Sequence, residues 1–230
     1  MKVQHGSQPP GPSRFVDLSH ELVDGMKPYP GLPNVRIEPH LDHERSRSHY
    51  EGEEFFLGKV NMPANVGTYL DSPFHRFPER EDLSQVPLAR LVGLDGVVVD
   101  ASTNEERAID VQLPPGELTD RAVLIRTGWD SRWGTDAYWE PGPHLAERFM
   151  DRLIESGVGL VGVDCWNVDD TTTKRRPIHT GLLGAGILIV EHLCHLDLLP
   201  RTGFRFFAPV LSVRQGASFP VRAFAELQHT

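Results

Sequence analysis

Apolar runs of strand length, separated by short polar turns, recur along most of this chain. The runs within 92–102 and 121–129 are continuous, and each ends in polar residues. Runs of this kind are typical of buried strands, and polar residues at their ends are placed to serve a site. Segments 35–43 and 55–63 alternate between apolar and polar positions, which also predicts strands.

One segment has a clear helical period. In PHLAERFMDRLIESG, residues 143–157, the apolar positions fall on one face, and Gly157 suits the position that follows a helix. A buried strand is predicted next at 158–164, and another at 187–191 after a short helical turn at 181–186. Strands outnumber long helices, so the predicted class is mixed α/β with a β-rich sheet and a few flanking helices.

Length and composition indicate an ordinary globular protein. The chain has 230 residues, of which 39% are hydrophobic and 24% charged, and no internal repeat divides it. We therefore predict a single domain over 15–230, preceded by a disordered leader at 1–14.

Charge and cysteine use restrict the function classes. The formal net charge of −9 argues against a nucleic-acid partner or an anionic membrane surface. Cys165 and Cys194 form neither a Cys-x-x-Cys motif nor a metal-knuckle spacing, and no apolar stretch approaches 18 residues. These features predict a cytoplasmic protein with reduced thiols and with no nucleic-acid or membrane partner.

Four polar residues are candidate metal ligands. Asp71 and His75 lie on a segment that Pro73 keeps out of a regular helix, and His179 and Glu191 follow far downstream. Imidazoles and carboxylates are ligands that zinc or manganese takes in hydrolytic sites. Spacing alone favours a structural alternative, since a lone histidine is more often a hydrogen-bonded structural residue and an aspartate before Ser-Pro is a natural turn former.

Several motifs in order along the chain resemble the cyclase family of metal-dependent hydrolases, which includes bacterial kynurenine formamidase and isatin hydrolase. The central motif of that family is His-x-Gly-Thr-His-x-Asp-x-Pro-x-His, and the chain has NVGTYLDSPFH at 65–75. The other matching motifs are VDLSHEL at 16–22, PYPG at 28–31, LIRTGW at 124–129, VGVD at 161–164, His179 with Glu191 twelve residues later, and PVRA at 220–223. The resemblance implies a swivelling β/β/α domain with a mixed sheet.

The chain departs from the family pattern at Asn65 and Tyr69, where histidines usually bind metal. In two-metal members the positions of Asp71, His75, His179 and Glu191 surround one ion, and the missing histidines serve mainly the other. The resemblance therefore implies one divalent ion, zinc or manganese, on those four residues, with Tyr69 as a substrate or oxyanion contact. The alternative is a pocket that has lost its metal.

The reaction implied by the resemblance is hydrolysis of a non-peptide amide, a formamide or cyclic amide, by metal-activated water. The catalytic candidates are Tyr69, His75, His179 and Glu191, with no cofactor beyond the metal. A lactone or ester hydrolase and a non-catalytic ligand-binding protein of the same fold are the alternatives. The resemblance also implies a homodimer or homotetramer.

Two arginines are candidates for orienting a carboxylate product. Arg126 ends a predicted strand, and Arg222 lies in the last motif. A structural ion pair is an equally good interpretation of each.

Overall fold

The computed structural model describes residues 15–228, so the predicted leader at 1–14 lies outside the described residues. The single domain predicted over 15–230 stays a prediction. The strands of the described chain are β1 (Phe15–Asp17), β2 (Arg36–Leu41), β3 (Leu57–Asn61), β4 (Tyr69–Asp71), β5 (Leu94–Asp100), β6 (Ala108–Ile109), β7 (Ala122–Arg126), β8 (His144–Leu145), β9 (Leu160–Val163), β10 (Leu188–Glu191), β11 (Phe204–Phe207), β12 (Ser218–Pro220) and β13 (Phe224–Leu227). The α-helices are α1 (His43–His49), α2 (Glu147–Glu155) and α3 (Pro177–Gly184).

A mixed sheet organises the molecule. Nine strands form it in the order β1-β13-β11-β5-β7-β9-β10-β4-β12. The four central strands, β5, β7, β9 and β10, run parallel to their neighbours within this group. Antiparallel pairs add β4 and β12 on one side of the group, and β11, β13 and β1 on the other. Strands β2 and β3 form a separate antiparallel pair, and β6 pairs with β8. The predicted mixed α/β class is confirmed.

The central strands are buried because both faces of the sheet are covered. In β7, Val123 and Ile125 belong to the same apolar cluster as Phe149 of α2. Leu124, which points to the opposite face, belongs to a second cluster with Phe206 of β11. A strand covered on both faces needs an apolar residue at every position, which explains the continuous runs in the sequence.

The helices differ from the prediction mainly at their ends. Helix α2 begins only at Glu147, because His144 and Leu145 pair with β6 as strand β8. Gly157 follows the helix with a φ of 65°, as predicted for a residue in the left-handed region. The predicted turn at 181–186 mostly belongs to α3, which begins at Pro177, a favoured residue for a first turn.

Helix α1 was not predicted by the pattern. Its N-cap residue, Asp42, accepts a hydrogen bond from the backbone N–H of Arg45. Only Ser46 within the helix is buried, so α1 has no apolar face that could mark it in the sequence. No helix among residues 15–228 is both long and apolar enough to cross a membrane.

Candidate metal centre

Three neighbouring strands bring the first candidate residues together. Strand β10 pairs with β4 so that Glu191 lies opposite Tyr69, and β12 pairs with β4 so that Ser218 lies opposite Asp71. Residues 69 and 71 share one face of β4, because side chains alternate along a strand. Asp71 and Glu191 are both 0% exposed. A buried carboxylate needs an opposite charge or several hydrogen bonds, and the surrounding residues supply them.

Helix α3 supplies His179, and Asp169 fixes its orientation. The Asp169 carboxylate accepts hydrogen bonds from the backbone N–H groups of Ile178 at 2.8 Å and His179 at 3.2 Å. Its Oδ2 also lies 2.6 Å from Nδ1 of His179. The other ring nitrogen, Nε2, therefore faces inward, 3.7 Å from Oδ2 of Asp71 and 3.6 Å from Oε1 of Glu191.

The remaining carboxylate oxygens are held by hydrogen-bond donors. Ser218 donates its hydroxyl to Oδ1 of Asp71, and the Asn65 amide lies 3.5 Å from the same atom. Tyr69 donates its hydroxyl to Oε2 of Glu191. Oδ2 of Asp71, which faces His179, is buried and accepts no hydrogen bond from any residue that the structure describes. That oxygen is thus available to a cation.

The donor set fits a divalent metal ion. Asp71, His179 and Glu191 each offer one ligand atom, and these atoms lie within 4.8 Å of one another. Carboxylate oxygens and an imidazole nitrogen suit zinc and manganese, and three protein ligands leave a coordination position open, as in catalytic sites. A carboxylate behind the ligating histidine, here Asp169, is the usual outer partner at such sites.

Protons compete with a cation for this site. Burial alone would lower the pKa of His179, but Glu191, Asp169 and Asp71 together raise it to about 10. Burial also raises the pKa of Glu191. An ion bound to Nε2 of His179 has to displace the proton there, so metal affinity should fall as the pH is lowered.

Tyr69 contacts one of the candidate ligands. Its hydroxyl donates a hydrogen bond to Oε2 of Glu191, and its role as a substrate or oxyanion contact stays a prediction. Burial, followed by the charges of Glu191 and Asp71, raises the pKa of Tyr69 well above its ordinary value. The phenol is thus a neutral donor that holds one oxygen of Glu191.

His75 lies at the edge of the centre and outside the group of three ligands. Its Nδ1 is 3.7 Å from Oδ1 of Asp71 and 3.3 Å from the Ser218 hydroxyl. Its side chain is 32% exposed, whereas that of His179 is 4% exposed. Burial lowers the pKa of His75 below its ordinary value. Its role as a fourth ligand stays a prediction.

A cavity of about 300 Å³ opens next to the centre. Asn65, Tyr69, His75 and His179 line its inner end, and its wall includes Tyr29, Leu32, Arg76, Asn167 and Arg176. Tyr29 comes from the Pro/Gly loop, and its ring packs against Trp166 with the ring centroids 5.5 Å apart. The cavity is large enough to admit a small aromatic molecule beside the ligands.

Sequence reasoning missed Asp169 and Ser218. Asp169 precedes His179 by 10 residues and Ser218 follows Asp71 by 147, so neither spacing indicates a contact. The suggested carboxylate contacts, Arg126 and Arg222, instead form ion pairs at 2.9 Å, with Asp100 and Asp17 respectively.

A family model described as "Putative cyclase" matches residues 16–170, so the chain belongs to this family. Among curated proteins it resembles kynurenine formamidase of Bacillus cereus, with 28% identity over 212 residues that cover 92% of this chain and 96% of the relative. Kynurenine formamidase of Erythrobacter litoralis is 29% identical over 214 residues, covering 91% and 92% of the two chains.

Solved structures agree on the fold. Isatin hydrolase A from Labrenzia aggregata, bound to benzyl benzoate, superposes with a TM-score of 0.80 at 24% identity, covering 94% of both chains. A predicted metal-dependent hydrolase from Bacillus stearothermophilus superposes with a TM-score of 0.70 at 21% identity, covering 92% of this chain and 97% of the other. The predicted family is confirmed. The enzyme class predicted for this chain is a hydrolase of carbon–nitrogen bonds other than peptide bonds. The kynurenine formamidases and isatin hydrolases named above are enzymes of that class, so this prediction is confirmed.

Proposed function

We propose that the protein is a metal-dependent hydrolase of a small non-peptide amide, either a formamide or a cyclic amide. The observation that carries this proposal is the buried set of Asp71, His179 and Glu191, whose ligand atoms lie within 4.8 Å of one another beside an open cavity. Kynurenine formamidases and isatin hydrolases among its relatives support the reaction class. The net charge of −9 also favours a small molecule over a nucleic acid.

The chain's own residues would bind one zinc or manganese ion. Oδ2 of Asp71, Nε2 of His179 and Oε1 of Glu191 converge on one point, and Asp169 keeps His179 in the orientation that this needs. The ion's chemistry at such a site is to activate water and to polarise the amide carbonyl.

His75 is the side chain best placed to move protons during the reaction. It lines the cavity and stands apart from the three ligands, so its imidazole is accessible to a bound substrate. Amide hydrolysis needs a group that takes a proton from water and delivers one to the departing nitrogen, and histidine commonly does both. The Ser218 hydroxyl, 3.3 Å from Nδ1 of His75, limits how far the ring can turn.

The metal content of purified protein tests the proposal. We expect about one zinc or manganese ion per chain by elemental analysis, retained on gel filtration, together with hydrolysis of formanilide, a minimal aromatic formamide. His179→Ala should abolish bound metal, because it removes one of three ligands. His49→Ala, which replaces an exposed histidine of α1, is the matched control and should keep the metal.

The competing interpretation predicts a different result. If wild-type protein binds no divalent ion at micromolar concentration and hydrolyses no amide, the protein is a non-catalytic ligand-binding member of its family. Hydrolysis that survives in His179→Ala protein would also contradict the proposed metal centre.

We further propose that the protein forms homodimers through the sheet of β2 and β3. Ile37 of β2 lies opposite Val60 of β3, so the two share one face of this pair, and they are 39% and 55% exposed. Phe56 at 51% and Leu57 at 46% add exposed apolar surface at the start of β3. An apolar face of this kind, outside the main sheet, would be covered by a second copy of the chain. Light scattering coupled to gel filtration tests this, and Val60→Glu should shift the mass toward the monomer.

A further inference from the structure

Two arginines in the wall of the cavity form no ion pair within the described part of the chain. Arg76 and Arg176 line the same cavity as Tyr69, His75 and His179. Neither arginine forms an ion pair with any carboxylate among residues 15–228, in contrast to Arg175, which pairs with Glu147 at 3.5 Å. Arg76 is exposed and Arg176 is half-buried, so both guanidinium groups are accessible to an anion that enters this cavity.

The chain ties both arginines to the segments that build the metal centre. Arg76 directly follows His75, and Arg176 directly precedes α3, which carries His179. Thr180 connects the two: its hydroxyl donates to the backbone carbonyl of Arg176 at 2.7 Å and accepts from Nε of Arg76 at 3.2 Å. Thr180 thus fixes the Arg76 side chain relative to the backbone at Arg176, where α3 begins.

Neutral groups orient these side chains without cancelling their charge. The Arg176 guanidinium donates to the carbonyls of Thr173 at 3.0 Å and Arg175 at 2.8 Å, and lies 3.4 Å from the Tyr29 hydroxyl. Nε of Arg76 donates to the neutral Thr180 hydroxyl at 3.2 Å. Arginine oriented in this way presents N–H groups in the planar geometry that matches a carboxylate.

The carboxylates of the metal centre do not neutralise this pair. Asp71 and Glu191 are buried behind the inner end of the cavity, and both are held by His179 and by their own hydrogen-bond donors. Both guanidinium groups therefore remain free to bind an anion that enters the cavity.

We propose that Arg76 and Arg176 form an anion subsite for a carboxylate that the substrate carries away from the bond being cleaved. The inference rests on the proposed amide hydrolysis, and it names the substrate class as an aromatic amide with a ring carboxylate. Tyr29 and Leu32, in the same cavity wall, provide apolar surface for the ring between the two ends.

The test compares formanilide with 3-formamidobenzoate and 4-formamidobenzoate. In the carboxylated compounds the carboxylate is separated from the formamide by the ring, so it cannot reach the ion that acts on the amide. We expect wild-type protein to favour at least one carboxylated compound over formanilide by about tenfold or more in kcat/KM, chiefly through KM. Dissociation constants for the same three compounds, measured by calorimetry, give a readout that does not depend on turnover.

Variants then assign the preference to the two arginines. Arg76→Gln and Arg176→Gln should each reduce the ratio between carboxylated and uncharged compounds by about tenfold, the effect of losing one charge-assisted contact. Arg175→Gln, which makes the same charge change one residue away on a side chain paired with Glu147, should leave the ratio unchanged. Arg76→Lys and Arg176→Lys should each keep part of the preference that the glutamine variants lose, since lysine keeps the charge but lacks the planar geometry.

Failure of this inference is distinguishable from failure of the proposed function. Hydrolysis of formanilide without any preference for a carboxylate overturns the subsite and leaves the amide hydrolase standing. Arginine-dependent binding of the carboxylated compounds without turnover of any of the three supports the subsite and contradicts the hydrolase. If the Arg175→Gln control lost as much of the preference, the preference would depend on the overall positive charge near the cavity. That result would overturn its assignment to Arg76 and Arg176.

Discussion

Tyr69→Phe removes one hydroxyl from the centre of the site and leaves the ring in place. Tyr69 is 4% exposed, and its hydroxyl donates to Oε2 of Glu191, a carboxylate that is itself 0% exposed. After the substitution, Glu191 keeps the backbone N–H of Val168 at 2.8 Å on its other oxygen but has no donor on Oε2. A buried carboxylate oxygen without a donor destabilises the fold.

Two magnitudes follow from that contact. The loss of a hydrogen bond to a charged group should lower the free energy of unfolding by about 1.5–3 kcal/mol. Because Glu191 is a proposed ligand and Tyr69 fixes its orientation, metal affinity should fall by roughly 10–100-fold, the usual effect of removing an outer partner. Urea unfolding of metal-free protein measures the first quantity, and chelator competition measures the second.

Tyr138→Phe is the matched control. Tyr138 is also buried, but its hydroxyl meets the neutral Nδ1 of His192 at 2.9 Å and touches no proposed ligand. We expect it to lower the free energy of unfolding by about 1 kcal/mol and to leave metal affinity unchanged. If Tyr69→Phe left both quantities within error of wild type, Tyr69 would only fill the space of a histidine.

The other predictions concern the second metal position, packing and pH. Asn65→His combined with Tyr69→His should raise bound metal above one ion per chain by elemental analysis, and an unchanged content with the fold intact would mean that the pocket has lost the second position. Gly96→Ala should lower the free energy of unfolding by about 1–3 kcal/mol or more in urea titrations, since the Cβ of the new alanine would lie 1.9 Å from the buried ring of Phe204. A variant as stable as wild type would contradict this close packing. Burial, aided by His195, lowers the pKa of His20 to about 4, so the unfolded chain takes up this proton first and stability should fall as pH drops from about 6.5 toward 4. His20→Leu should flatten that part of the urea-derived stability curve, and an unchanged slope would refute the assignment.

The sheet could be predicted because its central strands obey a local rule. Strands β5, β7 and β9 are buried on both faces, so the burial appears directly as continuous apolar runs. Helix α1 and the short strand β8 follow no such rule. The first is almost wholly exposed, and the second consists of two residues fixed by pairing with β6. Elements that depend on tertiary contacts instead of their own pattern are the ones missed.

The candidate ligands could be proposed from motif order, but their grouping could not. Nothing local distinguishes His75 from His179, and the difference arises only because α3 buries one ring and Asp169 aims it inward. The pairing of Tyr69 with Glu191 depends on the register between β4 and β10, which joins residues separated by 122 positions. Register across a sheet is set by the whole fold, so the sequence alone left the role of the phenol open.

The two substitutions at Asn65 and Tyr69 have a common physical consequence. Asn65 lies beside Oδ1 of Asp71, and Tyr69 donates to Oε2 of Glu191. These are the outer oxygens of the two carboxylates, whereas the inner oxygens face His179. Where family members with two ions use histidines to hold the second one, this chain places neutral hydrogen-bond donors. Hydrogen-bond donors satisfy the outer oxygens without adding a cation. The inner oxygens of Asp71 and Glu191 are then the ones left for a cation, at one position beside His179. A site built in this way should hold one ion, and hold it on Asp71, His179 and Glu191.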